Sequence, residues 1–554
     1  MEIKRIYYIM NIILNNKMKG ANMSLTSSII KTELKRKSGI LMHISSLPGP
    51  FGIGTLGVEA REFAEFLVET GQKYWQMLPI GPTGYGDSPY SSYSTYAGNP
   101  YFIDLDNLVE RKLLIDYEIW HLYQWEDVEK VDFDKISKER MPVFKLAFSR
   151  FNLEDEDFIK FKEENINWLE DYSLFMAIKD SQEGKSWIEW DEDLKKRNEF
   201  TLKKFKEDNR RQYEFYNFLQ YIFFSQWKEL KEFVEEKNIL LIGDLPIYVA
   251  EDSADVWSHP EVFKLDENLK PKVVGGVPPD YFSKEGQLWG NPIYNWDYLE
   301  KNNYKWWLDR IKWNKEIFDV LRFDHFRGFE SFWEIPYGEE TAINGKWVKG
   351  PGMKFFNKIK TELGNIDIIA EDLGDLTDEV IELVEESGFP GMNILQFAFG
   401  ARGDSEYLPH NCKKNSVMYV GTHDNDTIIG WLNSGDPEEI EFAREYFNLT
   451  LDETYNWGMI RGALTSPANL CITQMQDILL LDNSARMNSP GVLGGNWSWR
   501  MRKEDLGTLT KLKLEKLTRI SGRFNKSQQE LDAERAIEEA IEIALEQGVE
   551  NNEV

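Results

Sequence analysis

Short apolar stretches alternate along this chain with longer segments that carry apolar residues at helical spacing. The short stretches begin near residues 38, 74, 239, 318, 366, 392, 416 and 471. Continuous apolar runs of this length are typical of parallel strands that are buried on both faces. Eight such strands, most of them separated by helical segments, predict an α/β protein with a (β/α)8 TIM barrel.

Two connections between the predicted strands are unusually long. Residues 105–237 contain charged amphipathic segments such as 210–236, which predicts a large, mainly helical insertion between strands 2 and 3. Residues 275–294 are rich in glycine, proline and aromatic residues, which predicts a long active-site loop within a lid or acceptor region at 250–300. We assign the whole barrel domain to residues 37–525.

The two ends of the chain differ from this domain. Lys4 and Arg5 precede an apolar stretch that resembles a short signal peptide, but no convincing cleavage site follows it. We therefore expect residues 1–22 to be a non-structural extension. Residues 526–554 are acidic and predict a helical surface tail. Nothing after the last strand resembles a C-terminal β-sandwich.

Composition narrows the possible functions. A formal net charge of −29 opposes binding to a polyanion, so we expect no nucleic-acid partner. No apolar run is long enough to span a bilayer, so we expect no membrane partner. The 19 Trp, 24 Tyr and 33 Phe residues exceed the needs of a core, and aromatic faces pack well on sugar rings. With two cysteines and no metal-ligand spacing, we expect a cytoplasmic protein without metal or cofactor.

Polar residues gather where the predicted strands end. In a barrel of this kind the C-terminal strand ends line the active site. The polar residues at these positions are Asp244, Arg322, Asp324, Glu371, His423 and Asp424. Because side chains alternate along a strand, Arg322 and Asp324 are expected on one face, where the guanidinium would lower the pKa of the carboxyl group.

Such a group of residues is compatible with more than one kind of site. Carboxylates can bind Mg²⁺ or Ca²⁺, but Arg322 would add a fixed positive charge beside the metal. Glycoside chemistry needs one carboxylate as nucleophile and a second as general acid/base, and the arginine fits this alternative. A third alternative is a buried structural ion pair between Arg322 and its neighbouring carboxylates.

Seven motifs resemble those of one known family and follow in the same order. They are GDSPY at Gly86, GDLPIYV at Gly243, GVPPDYFS at Gly276, RFDHFRG at Arg322, AEDLG at Ala370, GTHDN at Gly421 and GGNWSWR at Gly494. Over residues 37–523 the chain resembles the amylomaltases, which are 4-α-glucanotransferases of glycoside hydrolase family 77. This resemblance implies transfer of 1,4-α-glucan segments to the 4-hydroxyl of a glucose or maltodextrin acceptor, with retention of configuration.

The resemblance also implies roles for single residues. Asp324 matches the nucleophile that forms a covalent glucosyl intermediate, and Glu371 matches the general acid/base. Asp424 matches the carboxylate that binds the 2- and 3-hydroxyls of a distorted glucose. The further residues expected to bind substrate at the barrel mouth are Arg322, His325, His423, Asp244, Tyr90 and His43.

Transfer requires an acceptor hydroxyl to reach the intermediate before water does. In the predicted loop, Tyr281 and Trp289 are candidate aromatic platforms for the acceptor, and Asp280 is a candidate ligand for its hydroxyls. For the chemistry itself, Glu371 should have a raised pKa and Asp324 a lowered one. Their carboxyl groups should lie about 5 to 5.5 Å apart, which is the geometry of retaining enzymes.

Three other functions were weighed against transfer. Hydrolysis of α-1,4-glucans uses the same carboxylates, although an α-amylase would add a β-sandwich and commonly a Ca²⁺ site. A non-catalytic α-glucan-binding protein would be expected to lack one of the three carboxylates. A metal-dependent lyase or aldolase is not supported, because the sequence has no phosphate-binding glycine-rich segment after the last strands. We expect maltooligosaccharides and α-1,4-glucans as partners, and a monomer or weak homo-oligomer.

Overall fold

The computed structural model describes residues 34–84, 86–123, 128–279, 283–374, 376–492, 494–526 and 535–537. Its strands form one parallel sheet and one antiparallel sheet. In chain order they are β1 (Lys37–Leu41), β2 (Tyr74–Gln76), β3 (Leu240–Leu245), β4 (Val273–Val277), β5 (Gln287–Pro292), β6 (Val320–Phe323), β7 (Ser331–Pro336), β8 (Lys346–Lys349), β9 (Asp367–Ala370), β10 (Gly391–Ile394), β11 (Ser416–Tyr419) and β12 (Leu470–Gln474).

The parallel sheet is a nearly closed barrel of eight strands in the order β10-β11-β12-β1-β2-β3-β6-β9. Each strand thus lies beside the next barrel strand along the chain. At the gap between β9 and β10, the N–H of Ala370 donates to the carbonyl of Pro390 at 2.9 Å. The predicted (β/α)8 barrel is confirmed, and a strand lies at each of the eight predicted positions.

Helices cover the outside of the barrel. The α-helices are α1 (Val58–Glu69), α2 (Leu105–Glu110), α3 (Asp116–Ile119), α4 (Phe133–Arg150), α5 (Glu156–Glu164), α6 (Ile166–Ser181), α7 (Glu192–Lys195), α8 (Glu199–Asp208), α9 (Arg210–Glu236), α10 (Ala254–Ser258), α11 (Trp296–Lys301), α12 (Lys305–Ile317), α13 (Met353–Leu363), α14 (Asp378–Ser387), α15 (Ile428–Ser434), α16 (Pro437–Phe447), α17 (Tyr455–Thr465), α18 (Met475–Ile478) and α19 (Thr508–Ile520). Helices α2 to α9 lie between β2 and β3, which confirms the helical insertion.

The insertion is attached to the loop that follows β2. Helix α9 is buried on all sides over residues 213–220, because other helices and the barrel surround it. Within it, the amide of Gln220 bonds to both the N–H and the carbonyl of Gly98. One turn and a half further, Gln226 makes the same pair of bonds with Asp104. These amide bridges satisfy buried backbone groups and fix the loop to the insertion.

The apolar core has one layer inside the barrel and another between the barrel and its helices. The inner layer uses one face of each strand, for example at Ile242, Val320 and Ile369. Because side chains alternate along a strand, residues two positions further on point to the same inner side. In these strands they are polar: Asp244, Arg322 and Glu371. The face that fills the barrel therefore also delivers polar groups to its C-terminal mouth.

The prediction of a long loop over residues 275–294 is wrong in part. This stretch includes the end of β4 and all of β5, which pair with each other, and β7 and β8 complete an antiparallel sheet of order β5-β4-β7-β8. The strand pattern is hidden because Gly275 and Gly276 have no side chain to mark a face. A Cβ on Gly276 would lie 2.2 Å from the carbonyl oxygen of Gln287, so the paired backbone leaves no room for one.

Several predictions about the chain ends cannot be compared with the structure. The N-terminal extension of residues 1–22 lies outside the described residues, as does most of the tail of residues 526–554. Within the described ranges, no strand follows β12. A search of those same ranges finds no helix with the length and apolar character that crossing a membrane would require.

Arg523, which follows α19, joins the C-terminal part of the barrel domain to the N-terminal end of the barrel. It is fully buried, and burial lowers the pKa of its guanidinium to about 10, which leaves the group charged at neutral pH. Its nitrogens donate to the backbone carbonyls of Lys37, Leu464, Ser466, Ala468 and Asn469. This end of a barrel serves stability rather than chemistry.

We expect Arg523→Met to lower the free energy of unfolding by about 3 kcal/mol, because buried carbonyls would lose a charged donor. Denaturant titration measures this loss. The control is Lys354→Met, which removes an exposed ion pair with Glu300 and should cost less than about 1 kcal/mol. Equal losses in the two variants would contradict a special role for Arg523.

Candidate active site

Arg322 lies at the centre of the barrel mouth and connects two carboxylates. Its Nη1 donates to Oδ2 of Asp244 at 2.6 Å and to Oδ1 of Asp324 at 3.1 Å. The register of β3 against β6 sets Asp244 directly beside Arg322. Arg322 is 3% exposed, so water screens its charge very little. Burial works to lower the pKa of Arg322, but the neighbouring acids raise it well above its usual range.

An aromatic wall stands on one side of this ion pair. The hydroxyl of Tyr90 donates to Oδ2 of Asp244 at 2.8 Å. The ring of Tyr90 stacks on His423, with 5.2 Å between centroids and 18° between planes. Trp497 lies against both rings, at centroid distances of 5.9 and 5.8 Å. The predicted residues Tyr90, Asp244 and His423 therefore come together, and Trp497 joins them.

Glu371 is held by backbone amides rather than by side chains. Its Oε2 accepts the N–H of His325 at 2.6 Å, and its Oε1 accepts the N–H of Leu373 at 3.1 Å. His325 has a left-handed backbone conformation, with φ 50° and ψ 51°, which is uncommon for a residue with a side chain. This turn directs the amide of His325 towards Glu371 instead of along the strand.

Burial is the main electrostatic effect on the two central carboxyl groups. It raises the pKa of Glu371 to about 8 and that of Asp324 to about 7, while Arg322 acts in the opposite direction on both. The raised pKa of Glu371 agrees with the prediction. The prediction of a lowered pKa for Asp324 is wrong, because loss of water outweighs the guanidinium. Arg322 donates a hydrogen bond to Asp324, whereas Glu371 is bonded by two backbone amides. The guanidinium contact therefore favours an ionised Asp324 beside a protonated Glu371.

Asp424 stands at the rim of the site. Its side chain is 44% exposed, and its Oδ1 lies 3.3 Å from Nε2 of His423. The same oxygen accepts the side-chain amide of Asn488 at 2.6 Å. Burial lowers the pKa of His423, although Asp424 opposes this effect, so the imidazole is neutral at neutral pH.

Two further histidines of the predicted site, His43 and His325, follow the ends of β1 and β6. Burial lowers the pKa of both His43 and His325 to about 3, so both are neutral. Within the described part of the chain, Nδ1 of His43 and Nε2 of His325 have no hydrogen-bond partner. Buried polar atoms without partners are costly, which points to a ligand that completes their hydrogen bonds. His43 otherwise packs edge-on against Phe102, with 5.4 Å between centroids.

The antiparallel sheet brings one more predicted residue to the site. Trp289 in β5 meets His325 edge-on, with 4.9 Å between centroids and 86° between planes, and it is 36% exposed. Asp280 and Tyr281, the other two predicted acceptor residues, lie outside the described residues. The separation of about 5 to 5.5 Å between the carboxyl groups of Asp324 and Glu371 stays a prediction.

Asn488 and Trp497 were missed as site residues. Both lie in an irregular glycine-rich segment after β12, where neither helical nor strand periodicity assigns a side chain to a face. Trp497 lies in the motif GGNWSWR, although no role was assigned to it, and for Asn488 the signal was the unusual mixture of glycine and tryptophan in residues 488–500. As for metals, a search of the described residues finds no group of three or more His, Cys, Asp or Glu that could hold an ion.

Comparison with known proteins gives a consistent set of similarities. The profile of the 4-alpha-glucanotransferase family matches residues 42–507. The 4-alpha-glucanotransferase of Clostridium butyricum is 54% identical over 487 residues, which cover 87% of this chain and 100% of that relative. The enzyme of the same name from Thermus thermophilus is 45% identical, over 86% of this chain and 96% of the relative. Among solved structures, the amylomaltase from Streptococcus agalactiae in complex with acarbose has a TM-score of 0.87 and 42% identity, covering 89% of this chain and 100% of that one.

We expect kcat/KM for a maltodextrin donor to follow a bell-shaped pH profile centred near neutrality. Below the pKa of about 7 for Asp324 both carboxyls are protonated, and above the pKa of about 8 for Glu371 both are ionised. Only the singly protonated pair offers a nucleophile and an acid together, so the rate falls on either side. Initial rates of maltotriose conversion across the pH range measure the profile, and a rate that keeps rising into alkaline pH would contradict it.

Proposed function

Since the chain belongs to the 4-alpha-glucanotransferase family, we propose that it transfers segments of 1,4-α-glucan between maltodextrins, with Asp324 as nucleophile and Glu371 as general acid/base. One observation carries this assignment. The buried guanidinium of Arg322 contacts Asp324, while Glu371, which is bonded by two backbone amides, has its pKa raised to about 8. Two similar groups with separated pKa values can take an attacking and a proton-donating role at the same pH.

The reaction runs in two displacements at the anomeric carbon of the donor glucose. In the first, Asp324 attacks that carbon while Glu371 gives its proton to the glycosidic oxygen, and the reducing-end fragment leaves with this proton. In the second, ionised Glu371 takes the proton from the 4-hydroxyl of the acceptor. The acceptor oxygen then attacks the same carbon and releases the carboxylate of Asp324. Two inversions give net retention of the α-configuration.

Arg322 and its neighbours prepare Asp324 for attack. The Arg322 contact at 3.1 Å favours the ionised form of Asp324 and engages Oδ1, which limits rotation of the carboxylate. Asp244 accepts from the same guanidinium nitrogen, and Tyr90 donates its hydroxyl to Asp244. Because the carboxylate of Asp324 is already held in place, the protein does not have to reorganise when an oxocarbenium-like transition state forms.

Residues at the rim of the site are placed to bind the hydroxyls of the sugar. Asp424 is partly exposed and adjoins His423, so its carboxylate is available to the 2- and 3-hydroxyls of the reacting glucose. The unpartnered nitrogens of His43 and His325 can each bond a sugar hydroxyl. The rings of Tyr90, His423 and Trp497 pack together as the aromatic wall. His423 and Trp497 are buried, so the partly exposed ring of Tyr90 is the one placed to meet a face of the sugar.

The cellular setting is part of the proposal. Cys412 and Cys471 are both buried free thiols, which suits the reducing cytoplasm. The partners that we propose are maltooligosaccharides and longer α-1,4-glucans, bound by a monomer or weak homo-oligomer.

Incubation of the protein with maltotriose tests the proposal. Transfer predicts free glucose together with a ladder of longer maltodextrins and little gain in reducing ends, because each bond broken is replaced by a bond formed. Glu371→Gln should reduce the rate by about 10² to 10⁴-fold, since it removes the proton donor. Glu362→Gln, on the surface helix α13, is the matched control and should leave the rate unchanged. Shortened products alone would indicate a hydrolase, and no reaction would contradict the proposal.

Trp289 is proposed as a platform for the acceptor. Its ring lies beside His325 at the mouth and is partly exposed, so a bound acceptor can cover the intermediate and exclude water. We expect Trp289→Ala to lower the ratio of transfer to hydrolysis by about 10-fold or more, consistent with loss of one stacking contact. Chromatography of products measures this ratio. Trp120→Ala, which removes a 61% exposed tryptophan of the insertion, is the control. An unchanged ratio in Trp289→Ala would contradict the platform role.

A further inference from the structure

Apart from Trp497, the glycine-rich segment after β12 has no part in the chemistry proposed so far. We call residues 486–501 the strap; Leu493 within it lies outside the described residues. The strap is fastened near its end by backbone hydrogen bonds from Arg500 to Glu129 at 2.7 Å and from Met501 to Ser46 at 2.9 Å. Near its start it reaches the barrel mouth, where the N–H of Asn488 donates to the carbonyl of His423 at 3.0 Å. The strap is therefore held at both ends, and its start lies at the barrel mouth.

The start of the strap surrounds Asp424. The side-chain amide of Asn488 donates to Oδ1 of Asp424 at 2.6 Å. Arg486 donates to the backbone carbonyl of Asp424 at 2.6 Å through Nη2, and to the carbonyl of Asn488 at 2.7 Å through Nε. Arg486 thus bonds to the backbone of Asp424, and Asn488 bonds to its side chain.

The two carboxylate oxygens of Asp424 differ in their hydrogen bonds. Oδ1 of Asp424 is engaged by Asn488 at 2.6 Å and lies 3.3 Å from Nε2 of His423. No hydrogen bond within the described residues reaches Oδ2. Because the side chain is 44% exposed, packing alone does not fix its rotation. A donor on Oδ1 therefore decides where Oδ2 points.

We propose that Asn488 is a positioning residue for the transfer reaction, which holds Oδ1 of Asp424 so that Oδ2 faces the hydroxyls of the reacting glucose. This inference rests on the proposed function of Asp424. Arg486 supports the arrangement because it fixes the backbone of both partners. Hydrogen bonds to the sugar hydroxyls that strengthen in the transition state depend on such orientation, and small displacements are costly.

Asn488→Ala should reduce kcat about 10- to 100-fold with little change in KM, because an interaction made mainly in the transition state is lost. Asn488→Asp keeps the shape but replaces the donor by a carboxylate beside Asp424. It should reduce kcat at least as much as Asn488→Ala. If shape alone mattered, Asn488→Asp would behave like the wild type, and that result would overturn the inference. Thermal unfolding of each variant shows that it is folded.

A double-mutant cycle separates positioning from a general structural effect. An activated aryl maltoside donor keeps the rates of weak variants measurable. With Asp424→Ala already present, Asn488→Ala should cost less than about 2-fold more, because nothing is left to position. Full additivity would mean that Asn488 acts elsewhere and would overturn the inference.

Asn496 provides the matched control within the strap. It accepts the N–H of Ser489 at 3.1 Å and donates to the carbonyl of Val492 at 2.9 Å, without touching Asp424. Asn496→Ala should leave kcat within about 3-fold of the wild type, since only the exposed part of the strap changes. A loss equal to that of Asn488→Ala would indicate that strap shape matters and would overturn the inference.

The failure of this inference and of the proposed function can be told apart. If Asp424→Ala alone keeps wild-type activity, the proposed role of Asp424 fails and the inference fails with it. If Asp424→Ala is severely impaired but both Asn488 variants are fully active, only the inference fails. If the Asp424 and Asn488 variants are all impaired and their effects are not additive, both the proposed function and the inference are supported.

Discussion

The buried guanidinium of Arg322 is the interaction on which the rest of the site depends. Asp244 and Asp324 both approach one nitrogen of this side chain, within 2.6 and 3.1 Å. Without the positive charge, two carboxylates at that distance from a common point would repel each other and one would take up a proton. Tyr90 then adds its hydroxyl to Asp244, so the aromatic wall is attached to the same ion pair. The ion pair, the aromatic wall and Asp324, the proposed nucleophile, are therefore one connected unit.

Burial has two opposing consequences for this unit. It strengthens the attraction between Arg322 and its carboxylates, because little water screens them. It also raises the pKa of both Asp324 and Glu371, which an exposed ion pair would not do. The backbone amides on Glu371 limit this rise, since they favour its ionised form. The pKa values of the two carboxyl groups thus reflect a balance between burial, one guanidinium and two backbone amides.

The barrel was predictable from the sequence because buried parallel strands appear as continuous apolar runs, and the polar residues that follow them mark one end of the barrel. This rule identified Asp244, Arg322 and Glu371 without any knowledge of three-dimensional contacts. It could not reveal the strand at Gly275 and Gly276, where side chains are absent, nor the pKa of Asp324, which depends on the extent of burial. Asn488 could not be found either, because its contact with Asp424 spans 64 positions and follows no periodic pattern.

The pairing of β1 with β12 has a consequence for biosynthesis. β1 begins at Lys37 and its partner strand begins at Leu470, so the ribosome makes one long before the other. During that interval one edge of β1 has no neighbouring strand, and an unpaired apolar edge can attract other chains. The bonds from Arg523 to the carbonyls of Lys37 and Asn469 form later still. β12 must therefore be synthesised before the barrel can close, and the bonds of Arg523 can form only after that.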